Sequence, residues 1–506
     1  MKKLRLLFND PLNWMPFLAL AIFLRGIVWL FLGHMVHANM PVDETIAKYF
    51  VRDDYVYFFT PVDNFFRTGH YTYLNGIPFT GRMPGYSLVY FMYMMFFNAN
   101  VSLHLVICTQ FLLSAISVYV LALISYYIFN NKNCFYISFL IYVLAVYPGF
   151  FDFFVIAESL SVSSIIFCFY YLVKYVYVAP KNKYLVLSGL FLTWTIFMRE
   201  YTGTLIILFP LAIGCFIFFV KKESFTKTVG SLILFCLPFV VCDAAWATRN
   251  YIETKKIILI TTPEQVAYDK LYSAPWETLD NLVYSWGEDA LPSTETGLGY
   301  YFRQPWDSTV HYKFPQSIFN GVTSYNADSL AKLRKLYREY LSNTDTARDK
   351  KLSDAILSKV DIYRRDYISH NTLSYWTIKP LRDIKYLIFF SGTGYLPLPA
   401  YSACHATGKF IKLVFALLYY FILLTAFAGI ILYFLFRRKP AFIPTLFFLS
   451  FVTMVGTMIF IGTLTVYSSS QEPRYFVQSF VMLIPFSVYF VHSLLFKRNI
   501  VNSIPS

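Results

Sequence analysis

Charge is scarce in this sequence. Lys, Arg, Asp and Glu together make up 14% of its 506 residues, while hydrophobic side chains make up 57%. A soluble chain of this length would not cover its surface with so few charges. Cysteine is also sparse: there are seven, without metal-ligand spacing, and only Cys404 lies outside the apolar runs. They read as small buried hydrophobes, which argues against a disulfide framework. Acids are outnumbered, 29 to 43 basic residues, for a net charge of +14. Such a balance can mark a nucleic-acid binder. Here the basic residues sit in short loops between apolar runs and act as topology signals, so no nucleic-acid partner is expected. No internal repeat or low-complexity tract is visible. Nor is a cleavable signal: the first apolar run is long and carries Arg25, as a retained helix would.

What the chain has in abundance is apolar runs of about 20 residues, each able to span the roughly 30 Å hydrocarbon core. Ten helices are expected, over 14–36, 101–129, 134–156, 160–178, 184–198, 201–220, 229–246, 410–436, 441–466 and 476–496. In this register MKKLR, Lys132, 181–183, 221–227, 437–439 and 497–498 share one side. The positive-inside rule makes that side the cytoplasm and puts both termini there; the membrane expected is a bacterial inner membrane. The run 86–97 is too short to span, and counting it would invert every later loop. It reads as an interfacial, re-entrant helix.

The chain therefore divides into an N-terminal membrane module (1–246) whose first outer loop is 37–100, an outer segment (247–408), and C-terminal membrane helices (409–506). Within the outer segment, 328–341 and 350–368 carry apolar residues at helical spacing. The fold class expected is an all-α polytopic membrane protein with a small, mainly helical extracytoplasmic cap.

Asp53 and Asp54, Glu158, Arg199 with Glu200, Arg249, Glu472 with Arg474, and Arg82 then all fall at the outer ends of spans or in outer loops. Ionisable groups at membrane depth are costly and mark function when several converge. Each alone has a plainer reading. A single Arg at a helix end can snorkel, and Glu158 can simply cap a helix. Arg25 reads as a structural residue that pairs with a carboxylate or a helix end. Acids and arginines together at a membrane surface suit a substrate with a lipid tail and an anionic head. Arginine forks match phosphate oxygens. A sugar leaving from phosphate needs its departing charge neutralised, by arginine or a metal. The acceptor hydroxyl needs a base, which a carboxylate can supply. This chemistry is sugar transfer from a polyprenyl-phosphate donor.

The stretches DDYVY (53–57), FFRTGHYTYLNG (65–76) and GRMPGYSLVYF (81–91) resemble the GT-C fold polyprenyl-phosphate-sugar glycosyltransferases, in the branch of protein O-mannosyltransferases and the lipid A aminoarabinose transferase. That family carries an acidic pair after its first helix, a Tyr four residues beyond the first acid, a Gly-aromatic turn, and a basic residue before Pro. These fall on Asp53 and Asp54, Tyr57, Gly69 with Tyr71, and Arg82. The family's second acid falls on Glu158 and a later basic residue on Arg199. W-x-x-R-N-Y falls on Trp246, Arg249, Asn250 and Tyr251, and the closing RY on Arg474 and Tyr475. Two departures stand out. Gln478 occupies a position where these enzymes often have Pro, and Arg82-Met83 precedes Pro84 where several relatives carry an acid-Lys pair. The resemblance implies a GT-C-like bundle in which Asp53, Asp54 and Glu158 are catalytic, with Asp53 the base. Arg82, Arg199, Arg249 and Arg474 bind the donor phosphate, and Tyr57, Asn250 and Tyr475 support them. A divalent metal on Asp54 and Glu158 is compatible with it. Partners are the polyprenyl-phosphate sugar, an extracytoplasmic acceptor and membrane lipids.

Two other classes fit the same composition: a transporter or flippase of lipid-linked saccharides, and an oligosaccharide polymerase or ligase. A transporter would place polar groups near the bilayer midplane. Apart from Arg25, most charges near the spans here sit at a membrane rim. The topology is directly testable. Cysteines introduced at Ser293 and Ser503 are expected to react with an impermeant maleimide from opposite faces of the membrane; labelling of both from one face would overturn the map.

Overall fold

The computed structural model describes residues 10–39, 55–73, 78–260, 274–286, 301–302, 314–343, 345–396, 398–436, 441–464 and 473–496. Among these residues the regular secondary structure is all helical, apart from one isolated antiparallel bridge between Thr72 and Pro78. The membrane body begins with α1 (Trp14–Asn39), the shorter α2 (Tyr55–Thr68) and α3 (Gly85–Met94), and the long α4 (Ala99–Phe129). It continues with α5 (Lys132–Val143), α6 (Val146–Phe150), α7 (Ala157–Val173), α8 (Asn182–Met198), α9 (Leu205–Cys215) and α10 (Phe225–Thr254). Three helices follow with ordinary polar composition: α11 (Ala274–Ser285), α12 (Ala327–Ser342) and α13 (Thr346–His370). The chain ends in α14 (Lys379–Phe389), α15 (Ala406–Phe436), α16 (Phe442–Leu464) and α17 (Phe476–Phe496).

Among the described residues, eight helices are long and apolar enough to cross a membrane, or nine if the bent pair α5–α6 is one span. This is fewer than the ten expected, for two reasons. The third expected helix is broken, with a bend of 47° between Lys132–Val143 and Val146–Phe153. Pro148 lies just past the break, and it cannot continue the hydrogen-bond ladder. The fifth, α8, has 17 residues and so reaches only about 25 Å at the rise of an α-helix. The run expected to be re-entrant is α3, whose 10 residues reach about 15 Å. It packs against α2, α4 and α8.

Local sequence sets the element ends. The Asn98 side chain accepts the Val101 N–H at 3.0 Å and so starts α4. Asn130, in the left-handed region at φ 46°, stops it, and Asn131 opens α5 by accepting the Asn133 N–H. A single apolar cluster runs through the membrane body. A second, separate cluster joins α11, α12 and α13 through Trp276, Leu282, Leu333, Tyr337 and Ile356.

Lipid tails are as apolar as the helices, so close packing rather than water exclusion joins spans. Two contacts depend on glycine. A Cβ at Gly189 of α8 would sit 1.9 Å from the Phe235 carbonyl oxygen of α10. One at Gly429 of α15 would sit 2.0 Å from the Phe486 carbonyl oxygen of α17. Buried Arg25 makes the other notable tie. Its Nη2 donates to the Tyr142 carbonyl at 3.0 Å and its Nη1 to the Ala145 carbonyl at 3.4 Å, which satisfies the broken end of α5. The helix end is thus the partner that Arg25 was expected to find. Gly189→Leu and Gly429→Leu are each expected to cost about 1–3 kcal/mol through forced separation of the backbones. Thermal unfolding in detergent checks this, with Gly230→Leu, where a Cβ meets open space, as the neutral control.

Candidate functional site

Glu158 lies in the first turn of α7, where the helix dipole favours a negative charge, and its side chain is fully buried. Two guanidiniums reach it from segments distant in sequence. Arg199, at the C-terminal end of α8, places Nη2 2.5 Å from Glu158 Oε2. Arg474, in the short turn Pro473–Tyr475 that opens α17, places Nε 3.6 Å from Oε1. Arg199 is itself buried. The turn that carries Arg474 is pinned from both sides. The Tyr147 hydroxyl donates to the Pro473 carbonyl at 2.5 Å, and the Arg474 N–H donates to the Tyr395 hydroxyl at 3.0 Å.

Arg82 enters from the loop before α3. Its Nη1 is 3.4 Å from Glu200 Oε2, and the Met83 N–H donates to the other oxygen of the same carboxylate at 3.3 Å. Two aromatic rings link the arginines. Arg82 and Arg199 both lie over Phe58 of α2, each 5.9 Å from the ring centre. Arg199 and Arg474 both lie over Tyr475, at 5.4 and 5.3 Å. Cation–π contacts of this kind stabilise guanidiniums where water is excluded.

The surrounding polar groups are tightly bonded. The Tyr86 hydroxyl donates to Gln110 Oε1 at 2.6 Å, and Gln110 Nε2 donates to the Phe154 carbonyl at 2.7 Å. Burial pushes the Tyr86 phenol well above its ordinary pKa; Glu158 raises it further and Arg199 opposes, so Tyr86 stays protonated as a donor. The Tyr201 hydroxyl meets the Tyr475 carbonyl at 3.1 Å and the Gln478 amide oxygen, and Gln478 Nε2 donates to Ser161 Oγ at 3.2 Å. Gln478 thus ties α17 to both α7 and Tyr201, which a proline at that position could not do.

Of the residues expected at the site, Glu158, Arg82, Arg199, Arg474 and Tyr475 are brought together. Arg249 is anchored on a different frame. Its Nη1 donates to the Phe79 carbonyl at 2.7 Å and its Nη2 to the Tyr71 carbonyl at 2.9 Å, while the guanidinium lies over Tyr71 and Trp246. Asn250 is buried beside it and donates to the Ile258 carbonyl at 3.3 Å, closing the turn after α10. Tyr57 stacks on Tyr73 with ring centres 5.5 Å apart. Asp53 and Asp54 lie outside the described residues. Phe58, Tyr86, Tyr201 and Gln110 were not singled out from sequence. Polar side chains inside apolar runs were the available signal for Gln110 and Gln478.

The geometry also bears on a metal at Glu158. Two guanidiniums within 3.6 Å of one carboxylate repel a divalent cation, so the surroundings of Glu158 do not fit a metal ligand. Among the described residues no group of three His, Cys, Asp or Glu side chains could hold a metal ion.

No protein-family model matches the chain, and no curated protein matches it. Among solved structures, the apo crystal structure of ArnT from Cupriavidus metallidurans aligns with 94% of this chain and 76% of that chain, at 10% identity and a TM-score of 0.34. A superposition this loose carries no functional argument.

A buried carboxylate that loses its cation is left with an uncompensated charge, at a cost of about 3–5 kcal/mol. Arg199→Met leaves Glu158 only the more distant Arg474, at 3.6 Å, and is therefore expected to destabilise the protein by up to about that amount. Glu158→Gln added to Arg199→Met is expected to recover part of the loss, because it removes the stranded charge. Unfolding midpoints of the two single variants and the double variant measure the coupling; simple additivity would mean that the pair does not act as a unit.

Proposed function

We propose that the protein is an integral-membrane glycosyltransferase. It moves a sugar from a polyprenyl-phosphate-linked donor to an extracytoplasmic acceptor of the cell envelope, with inversion at the transferred carbon. The observation that carries this reading is the convergence of Arg82, Arg199 and Arg474 around two shared rings, Phe58 and Tyr475. Bringing three guanidiniums together inside a membrane protein is expensive, and a structural brace needs only one. An anionic head group with several oxygens is what such a set recognises, since each planar fork matches a phosphate edge.

The carboxylates have a positioning role in this reading. Glu158 holds Arg199 and Arg474, and Glu200 holds Arg82, so the forks are oriented before substrate arrives. When the bond to the sugar breaks, the phosphate leaves as an anion and needs no acid. The guanidiniums neutralise its charge, and no step is routed through a metal. The incoming hydroxyl does need a proton acceptor. Asp53 takes that role and Asp54 helps to orient the acceptor. Asp53 precedes Phe58, the ring shared by Arg82 and Arg199, by five residues in the chain. Attack from the face opposite the phosphate inverts the sugar carbon in one displacement. Arg249 serves the site indirectly, by holding Tyr71 and Phe79 through their carbonyls. The donor tail lies in the bilayer, the head group at the extracytoplasmic rim, and both termini in the cytoplasm. The helices of the second apolar cluster lie over that rim and carry the acceptor surface.

Purified protein incubated with polyprenyl-phosphate sugars and a cell-envelope extract tests the proposal. Sugar should be released from the donor and appear on the acceptor; absence of donor turnover across the panel would overturn it. Arg82→Ala and Arg474→Ala are expected to weaken donor binding by about 10- to 100-fold, the loss of a charge-assisted hydrogen bond. Asp53→Asn is expected to leave donor binding nearly intact and lower turnover by about 10²–10⁴.

A further inference from the structure

Helix α14 is inside out for a helix in water. Its buried side carries a charge pair: Lys379 Nζ lies 3.2 Å from Asp383 Oδ2, and the two residues are 4% and 7% exposed. Its open side carries Leu381, Arg382, Lys385, Tyr386 and Phe389, which follow Ile378 at helical spacing and form one stripe. Leu381 is 60% exposed. The segment that leads into α14 adds Leu373 and Trp376, both exposed. A helix on a water-facing surface turns its apolar stripe inward and its charges outward. Contiguous exposed apolar groups mark a surface that meets something other than water.

The neighbouring span says what covers the stripe. The Tyr419 hydroxyl of α15 donates to the Ile388 carbonyl at 2.5 Å, and the Tyr420 hydroxyl donates to the Phe389 carbonyl at 2.7 Å. Tyr420 lies 16 residues before α15 ends at Phe436, about 24 Å at the rise of an α-helix, and its side chain leans toward the N-terminal end. The end of α14 is therefore fastened about one hydrocarbon thickness from the far end of α15, at the rim of the span. On α15, exposed Leu417, Phe421 and Leu424 flank Tyr420 and face lipid. The open stripe of α14 borders that lipid-facing surface.

Charge decides the kind of lipid. Arg382 and Lys385 stand exposed within the stripe, one turn apart, and neither has an acidic partner among the described residues. The acid nearest in sequence, Asp383, is turned inward to Lys379. Two cations set among Leu381, Tyr386 and Phe389 match a molecule with an anionic head and apolar chains. Trp376 and Tyr386 are the residue types that settle at headgroup level.

We infer that the exposed stripe of α14 lies in the membrane interface and binds an anionic glycerophospholipid of the bilayer. Arg382 and Lys385 hold its phosphate, and Leu381 and Phe389 meet its acyl chains. The helix also packs against the turn Pro473–Tyr475 that carries Arg474, so this lipid lies on the outer side of a wall of the candidate site. The inference needs only the membrane body and stands apart from the glycosyltransferase reading.

To test it, the full chain in detergent is titrated with phosphatidylglycerol and with phosphatidylcholine, and bound lipid is counted by native mass spectrometry. The wild type should prefer phosphatidylglycerol. Arg382→Gln and Lys385→Gln should each lower that preference about 5-fold, and the double variant about 30-fold, with the unfolding midpoint unchanged. Polyprenyl monophosphate, titrated in parallel, should bind all variants equally. A wild type without the preference overturns the inference. So does a preference that the double variant keeps, or a double variant that loses polyprenyl monophosphate in place of phosphatidylglycerol. Spin labels at Leu381→Cys and Phe389→Cys, in a cysteine-free background in nanodiscs of the two phospholipids, check the surroundings of the stripe. They should collide with oxygen in preference to a water-soluble nickel complex, as a label at Leu424→Cys of α15 does. Arg365→Cys, whose side chain is exposed on α13, is the aqueous reference. Labels that follow the aqueous reference put the stripe in water, and labels that neither reagent reaches put it against protein; either result overturns the inference.

Discussion

The membrane body is organised around one carboxylate. Glu158 is fully removed from solvent, and an ionised acid in that position is tolerable only with cations at hand. Arg199 and Arg474 supply them, so the start of α7, the end of α8 and the start of α17 must meet at one point. Much of the local irregularity follows. The chain leaves α8 in an extended step at Arg199 and turns through Glu200–Thr204, and it enters α17 through the tight turn Pro473–Tyr475. Continuous helices at these places would carry the arginines past Glu158. The turns bring their own hydrogen-bonding needs, which Tyr147, Tyr395, Tyr201 and Gln478 meet.

The bend in the third span belongs to the same arrangement. After the break at Val143, the chain presents Tyr147 to the turn of Arg474 and the Phe154 carbonyl to Gln110, and through Gln110 supports Tyr86. A straight helix would satisfy those carbonyls internally and leave Gln110 with nothing to grip. Arg25 supports the break by bonding two carbonyls beside it, those of Tyr142 and Ala145. The costly features are therefore coupled: a charge in the first span supports a break in the third, and the break supports the site.

Much of this frame was legible in the sequence. Apolar runs of about 20 residues are a strong signal because the hydrocarbon thickness demands them, and all eight long helices fall where they were expected. The short α3 was legible for the same reason in reverse. The bend was not read, although Pro148 stood inside the run; hydrophobicity alone does not distinguish a straight span from a bent one. Glu158, Arg199 and Arg474 were visible as charges at helix ends. Their pairing was not, since it depends on how three separate helices pack, with Arg199 41 and Arg474 316 residues from Glu158 in the chain. Arg249 marks the limit of such reading. Its place at the end of a span resembles that of Arg199, yet its donors are spent on backbone carbonyls of a loop. Only tertiary contacts tell an arginine that faces an anion from one that braces a turn.

The buried polar groups around Glu158 extend this frame. The hydroxyls of Tyr86 and Tyr201 and the amides of Gln110 and Gln478 have protein partners, in bonds that link separate helices. Such a network fixes geometry, and fixed geometry is what charge stabilisation requires, because oriented donors need not reorganise as charge develops. The short α3 joins this network to the segment that Arg249 braces: Tyr86 bonds Gln110, the next residue Ser87 meets the Tyr71 hydroxyl, and Arg249 holds the Tyr71 carbonyl. A helix too short to cross the membrane is thus fixed between α2, α4 and α8 by polar contacts as well as by packing.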